Sequence, residues 1–173
     1  MSIEQEFALV KQEFTSFMEY LNTHMRISQS YHSTPRYYGI EEELYISEAH
    51  VIQAIGDQPD QSLLELAAET HRTKSAMSMM IRKLEKKGLI SKIRTEEDNR
   101  KIALTLTKKG LIVYNYHQAL DEINYRAMFE KMSQIEEISC KDLEIANKVL
   151  KSLIEIPRGE LLLIDSVVEK ERT

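Results

Sequence analysis

Between His71 and Gly110 the chain carries twelve Lys or Arg residues against four acidic ones, a local charge of +8 in a protein whose total is −5, so the remainder carries −13. These cations are placed with a period. Lys74, Arg82 and Lys86 fall with Thr73, Ser75, Ser78 and Met79 on the outer face of a stretch whose apolar residues recur at helical spacing. Lys92, Arg94 and Arg100, with Asp98, fall in or between two stretches whose period is two. Ammonium and guanidinium groups neutralise phosphates, and Arg and Lys also match the guanine edge. Serine and threonine hydroxyls bond to bases or phosphates, and a Met side chain can touch a thymine methyl. The chemistry this set suits is the reading of double-stranded DNA. Charge by itself also fits a solvated helix face or a protein-interaction adaptor.

Other reactive side chains make no comparable pattern. His24, His32, His50, His71 and His117 form neither HExxH nor a Cys/His zinc spacing, and no metal or cofactor is expected from them. There is no glycine-rich phosphate loop and no nucleophile elbow, and Glu41, Glu42 and Glu43 read as exposed charge, so an enzyme is not expected. The single Cys140 cannot form an internal disulfide and reads as a small apolar residue.

The elements that must hold the basic face are mostly helical, since only five Gly and three Pro punctuate 173 residues. Phe7, Val10, Phe14, Phe17, Leu21 and Met25 mark a first helix, followed by a connection over SQSYHSTPRYYGIEE. Ser47 is the expected cap of a second helix bearing Val51, Ile52 and Ile55 and stopping near Gly56. Asp60-Gln61-Ser62 caps the short helix LLELAAET, in which Ala67 and Ala68 are small enough for a close helix crossing. Thr73 caps a helix from Lys74 to about Lys87, with Met77, Met80, Ile81 and Leu84 inward and Gly88 as its stop. Residues 89–94 and 101–106 pair as a hairpin, and Thr107 caps a long helix to about Met132. A last helix runs from about Ile135 to Ile156, and the tail ELLLIDSVVEKERT follows. The fold class is mainly α with a small two-stranded β-wing. Residues 1–46 and 111–173 are expected to dimerise and 47–110 to bind DNA, within one intertwined domain.

SLLELAAETHRTKSAMSMMIRKLEKKGLI, then RTEEDNRKIALTLTKKG, resembles the multiple antibiotic resistance regulator (MarR) family. The more specific signals are LEKKGLI closing a helix, Asp-x-Arg in the hairpin and Leu-Thr-x-x-Gly opening the next helix. The resemblance implies a winged helix-turn-helix homodimer that binds a pseudo-palindromic operator, as a repressor released by a small effector. It implies that Arg100 reaches the minor groove and that Asp98 positions it. Two departures are visible: Thr70-His71-Arg72 stands where the family's turn has Gly and an aliphatic residue, and Met79 stands where many members have Arg. Zinc-sensing members imply Glu48, His50 and His117 as a ligand set. The family's effector cleft implies Tyr31, Tyr37, Tyr38, His50 and Tyr114 around a small aromatic effector, and packing within a dimer core is the competing role for the same rings. No apolar run is long enough for a membrane span and MSIEQEF is no secretory signal, so a cytoplasmic location without membrane contact is expected.

Overall fold

A computed structural model describes residues 2–94, 102–135 and 137–156, and of Arg94 only the backbone. Asp98, Arg100 and the tail after Ile156 lie outside the described residues.

Helix α1 spans Ile3–His32. Ser2 and Gln5 close its start reciprocally, the Ser2 hydroxyl accepting the Gln5 N–H and the Gln5 side chain accepting the Ser2 N–H. The helix outruns the connection expected from Ser28 onward. No Gly or Pro occurs before Pro35, and Ser28 and Ser33 turn their hydroxyls back onto the carbonyls of Met25 and Gln29. The connection itself holds two short strands, β1 (Arg36–Tyr37) and β2 (Glu43–Leu44), paired antiparallel with Arg36 opposite Leu44.

Helix α2 (Ile46–Asp57) is capped at Tyr45, not at Ser47, which lies inside the first turn. Glu48 supplies the missing cap by accepting the Tyr45 N–H at 2.9 Å. Helix α3 (Leu63–Glu69) has a complete capping box between Ser62 and Glu65. The turn to α4 (Lys74–Lys86) places His71 at φ 50°, the left-handed region. Thr73 caps α4, accepting the Ala76 N–H at 3.2 Å. At the other end Gly88 has φ 69°, and the Gly88 and Leu89 N–H groups return to the carbonyls of Glu85 and Leu84. That is the paired closure a left-handed glycine permits.

Strands β3 (Ile90–Arg94) and β4 (Ile102–Leu106) pair antiparallel from Ile90 opposite Leu106 to Arg94 opposite Ile102. Helix α5 (Lys108–Ile135) follows at once. Thr107 caps it by accepting the Gly110 N–H, and donates its own hydroxyl to the Gly88 carbonyl at 2.7 Å. A Cβ on Gly110 would stand 2.0 Å from the Leu89 carbonyl oxygen. The Leu-Thr-x-x-Gly signature therefore records a first turn pressed onto the backbone that leaves α4.

The core gathers Leu44, Ile52, Ile55, Leu66, Met77, Ile81, Leu84, Leu89, Leu104 and Val113, all almost fully buried. Ala67 joins it, whereas Ala68 is exposed and does not make the helix crossing. Residues Met1–Glu122 form one compact unit and Ile123–Thr173 a second. The second contains the end of α5 and helix α6 (Cys140–Glu155), capped by Ser139 with Asp142. Helix α6 starts after the expected Ile135 because α5 keeps that residue. No helix among the described residues is long and apolar enough to cross a membrane.

Candidate nucleic-acid interface

Helix α4 divides cleanly by face. Met77, Ile81 and Leu84 are buried, while Lys74, Ser75, Met79, Arg82 and Lys86 are exposed and Ser78 is half-buried. Spacing of three and four residues puts the exposed set on one side of the cylinder. Among the described residues no carboxylate lies within ion-pair distance of Lys74, Arg82 or Lys86. Thr73 is exposed, but its hydroxyl oxygen already accepts from the helix start. Met79 is 67% exposed on the same face.

The wing carries Lys92 on β3, where it pairs with Glu85 of α4 at 2.6 Å. That bridge leaves Lys92 partly committed and ties the wing to the helix. Arg94 stands at the last described pair of the ladder, opposite Ile102. Asp98 and Arg100 lie beyond it, outside the described residues.

Two cations of the basic run do something else. Lys83 and Lys87 converge on Glu48, at 3.4 and 2.8 Å. Lys87 also donates to the Glu43 carbonyl at 3.1 Å, and Lys83 lies 5.2 Å from the Tyr45 ring centre. Burial pushes the Glu48 carboxyl up, but the Lys87 hydrogen bond, the Tyr45 N–H and the two positive charges outweigh it and hold the group below its usual value. Lys109 pairs with Glu42 and donates to the Lys87 carbonyl. Sequence reasoning missed this cluster. Its one trace is Glu48 at the third position of a helix lacking a Ser or Thr cap.

The residues expected around an effector separate into two groups. Tyr38 is buried and meets His117 edge-on, with ring centres 5.5 Å apart, and His50 lies 5.2 Å from His117. Tyr31 and Tyr37 are exposed near them, Tyr31 beneath the Arg36 guanidinium at 3.7 Å. Tyr114 stands apart, bonding Asp57 at 2.8 Å over Gly56. His117 is buried with neither ring nitrogen hydrogen-bonded, and its Nδ1 is 3.5 Å from Asp121. Burial holds His117 and His50 below the usual imidazole value, against the pull of Asp121. Glu48, being held by Lys87, does not join the two histidines. Among the described residues no group of three His, Cys, Asp or Glu side chains is arranged to hold a metal, and Glu48 does not join the set that the zinc-sensing resemblance implies.

Residues 44–102 match the MarR family model. The homoprotocatechuate degradative operon repressor of Escherichia coli is 28% identical over 90 residues, covering 49% of this chain and 61% of that protein. The HTH-type transcriptional regulator SarZ of Staphylococcus haemolyticus is 29% identical over 75 residues, 43% of this chain and 51% of that one. The match thus spans about three-fifths or less of these curated relatives. Streptococcus pneumoniae FabT in complex with DNA superposes with a TM-score of 0.54 at 27% identity, over 86% of this chain and 95% of that chain. Lactococcus lactis ZitR in complex with DNA gives 0.59 at 19% identity, over 82% and 94%, a likeness of fold. With the helix order, the wing and the matched segment in agreement, residues 44–102 carry a winged helix-turn-helix segment similar to those of MarR-family regulators.

Proposed function

We propose that the chain is a sequence-specific, double-stranded-DNA-binding regulator of transcription that acts as a homodimer and represses by occupying a pseudo-palindromic operator. The observation that carries this reading is the outer face of α4. Lys74, Ser75, Met79, Arg82 and Lys86 are presented together, and the three cations have no carboxylate partner among the described residues. A helix so exposed, braced by α3 and flanked by a hairpin, is the shape that enters a major groove. Ser75, Ser78, Met79 and Arg82 are assigned to base edges. Lys74, Lys86, Lys92 and Arg94 are assigned to phosphates, and Arg100, oriented by Asp98, to the minor groove. Tyr31, Tyr37, Tyr38 and His50 are assigned to recognition of a small aromatic effector, at the junction of α1, α2 and α5. Such an effector would release DNA by changing the spacing of the two α4 helices. Binding of the purified protein to genomic DNA fragments, followed by footprinting, gives the operator. Affinity should then fall steeply with salt, and Lys74→Ala or Lys86→Ala should flatten that slope by about one unit each. An affinity indifferent to salt would overturn the regulator in favour of a protein-interaction adaptor.

A further inference from the structure

The Glu48 cluster is expensive for a structural contact. The carboxylate is 1% exposed, and a charge so placed loses its water. Buried ion pairs return little net stability, because desolvation consumes most of the attraction, and their best-attested use is to fix registry. The partners here are telling. One oxygen of Glu48 holds the start of α2 through the Tyr45 N–H, and the other holds Lys87, the residue that ends α4. Lys83, one turn earlier on α4, leans on the same oxygen at 3.4 Å. Lys87 reaches on to the Glu43 carbonyl, and its own carbonyl receives Lys109 from the first turn of α5. The C-terminal end of α4 is thus held from three sides, while its N-terminal half stays exposed.

We propose that Glu48 is a specificity-determining positioning residue: it fixes the angle of α4 and withdraws Lys83 and Lys87 from the phosphate backbone. The inference rests on the regulator reading above. Both consequences favour the correct sequence over random DNA. A fixed helix angle keeps Ser75, Met79 and Arg82 in register with base edges, which only a matching site rewards. Two withdrawn cations lower the sequence-independent attraction that every duplex offers equally. Specificity is the difference between those affinities, and it improves when the indiscriminate part is suppressed.

The test compares the parent with Glu48→Gln and Lys87→Met on the footprinted operator and on a random duplex of equal length, across a salt series. Glutamine keeps an oxygen for the Tyr45 N–H and removes the charge that restrains both lysines. Glu48→Gln should bind the random duplex more tightly, steepen its salt slope by about one to two units, and lower the operator-to-random ratio about tenfold. Lys87→Met should lower that ratio while leaving the random-duplex slope unchanged, because Lys87 touches no phosphate. A merely structural role would lower the melting temperature and leave both slopes and the ratio at parent values, which overturns the proposal. A slope flattened by about one unit in Lys87→Met would also overturn it, since Lys87 would then be a phosphate contact. If Glu48→Gln does not fold, Lys87→Met decides: a lowered operator-to-random ratio with an unchanged slope supports the proposal, and a parent-like ratio overturns it. A parent that binds no duplex overturns the regulator reading instead, before either variant is compared.

Discussion

The winged-helix region and the long helices spend their apolar residues in opposite ways. From Tyr38 to Val113 nearly every large aliphatic on an inner face is buried, and Leu44, Ile52, Leu66, Met77, Leu84, Leu89 and Leu104 are at 0 or 1% exposure. Helix α1, by contrast, has 30 residues and buries none, and α6 buries none in 16. Helix α5 buries Gly110, Val113 and His117, all in its first three turns, and leaves Ile123, Met128 and Phe129 exposed. Phe7 and Phe14 meet edge-to-face on α1, and each is nearly half exposed. A region with a closed core is stable as one copy. Helices with open apolar stripes call for a second surface, which in the proposed homodimer a second copy of the chain would supply by symmetry. The difference separates what the sequence needs in order to fold from what it needs in order to assemble.

Four substitutions would break or sharpen that contrast. The largest effect belongs to the core. Gly110→Val would drive a side chain into the Leu89 carbonyl and should cost about 3 kcal/mol or more, read by urea denaturation. A loss under about 1 kcal/mol would mean that α5 is free to move off the wing. Next comes Ile154→Asp, at a residue 62% exposed on α6. It should weaken self-association about a hundredfold in analytical ultracentrifugation while the urea midpoint of the isolated chain stays put. A parent that is monomeric at micromolar concentration would remove the homodimer from the mechanism. Gly88→Ala should cost about 1 kcal/mol from backbone strain alone, since nothing lies within 4 Å of the added carbon. A loss as large as that of Gly110→Val would show a contact at Gly88 that the geometry does not contain.

The smallest expected effect is in pH. His117 and His50 are held below the usual imidazole value in the folded chain. The unfolded chain therefore takes up protons first as pH falls through about 6.5, and stability declines from there until the folded groups also titrate. Glu48, held below its usual value, adds a second loss of stability as pH falls through the carboxylate range. His117→Leu should make the decline in melting temperature between about pH 7 and 5.5 shallower than in the parent. An unchanged slope would take His117 out of the balance.

What could be read beforehand follows from how local the cause is. Ser62, Thr73, Gly88 and Thr107 announce helix ends within four residues of the bonds they make, and each stands where expected. The basic outer face of α4 follows from period alone. Other features depend on partners far along the chain. Strands β1 and β2 are two residues each, too short for any alternation to show. The cap of α2 is a glutamate acting backward onto Tyr45, which no preceding Ser or Thr signals. Lys87 looks like one more cation in LEKKG until the residue 39 positions earlier is folded beneath it. His71 takes a left-handed backbone in the turn where the resemblance implies glycine.

The weld at the base of the wing has a consequence for the order of folding. Thr107 bonds Gly88 across 19 residues, Lys109 bonds the Lys87 carbonyl across 22, and β3 pairs with β4 through one hairpin. Contacts this close in sequence lose little loop entropy when they form, and chains rich in them fold quickly. On a ribosome, the segment from α4 to the first turns of α5 can close as soon as it has emerged, before α6 exists to meet anything. The nascent chain would then carry a formed recognition helix while its association surface is still incomplete. Of the open apolar stripes, that of α1 leaves the ribosome before the recognition helix, and those of the later part of α5 and of α6 follow it.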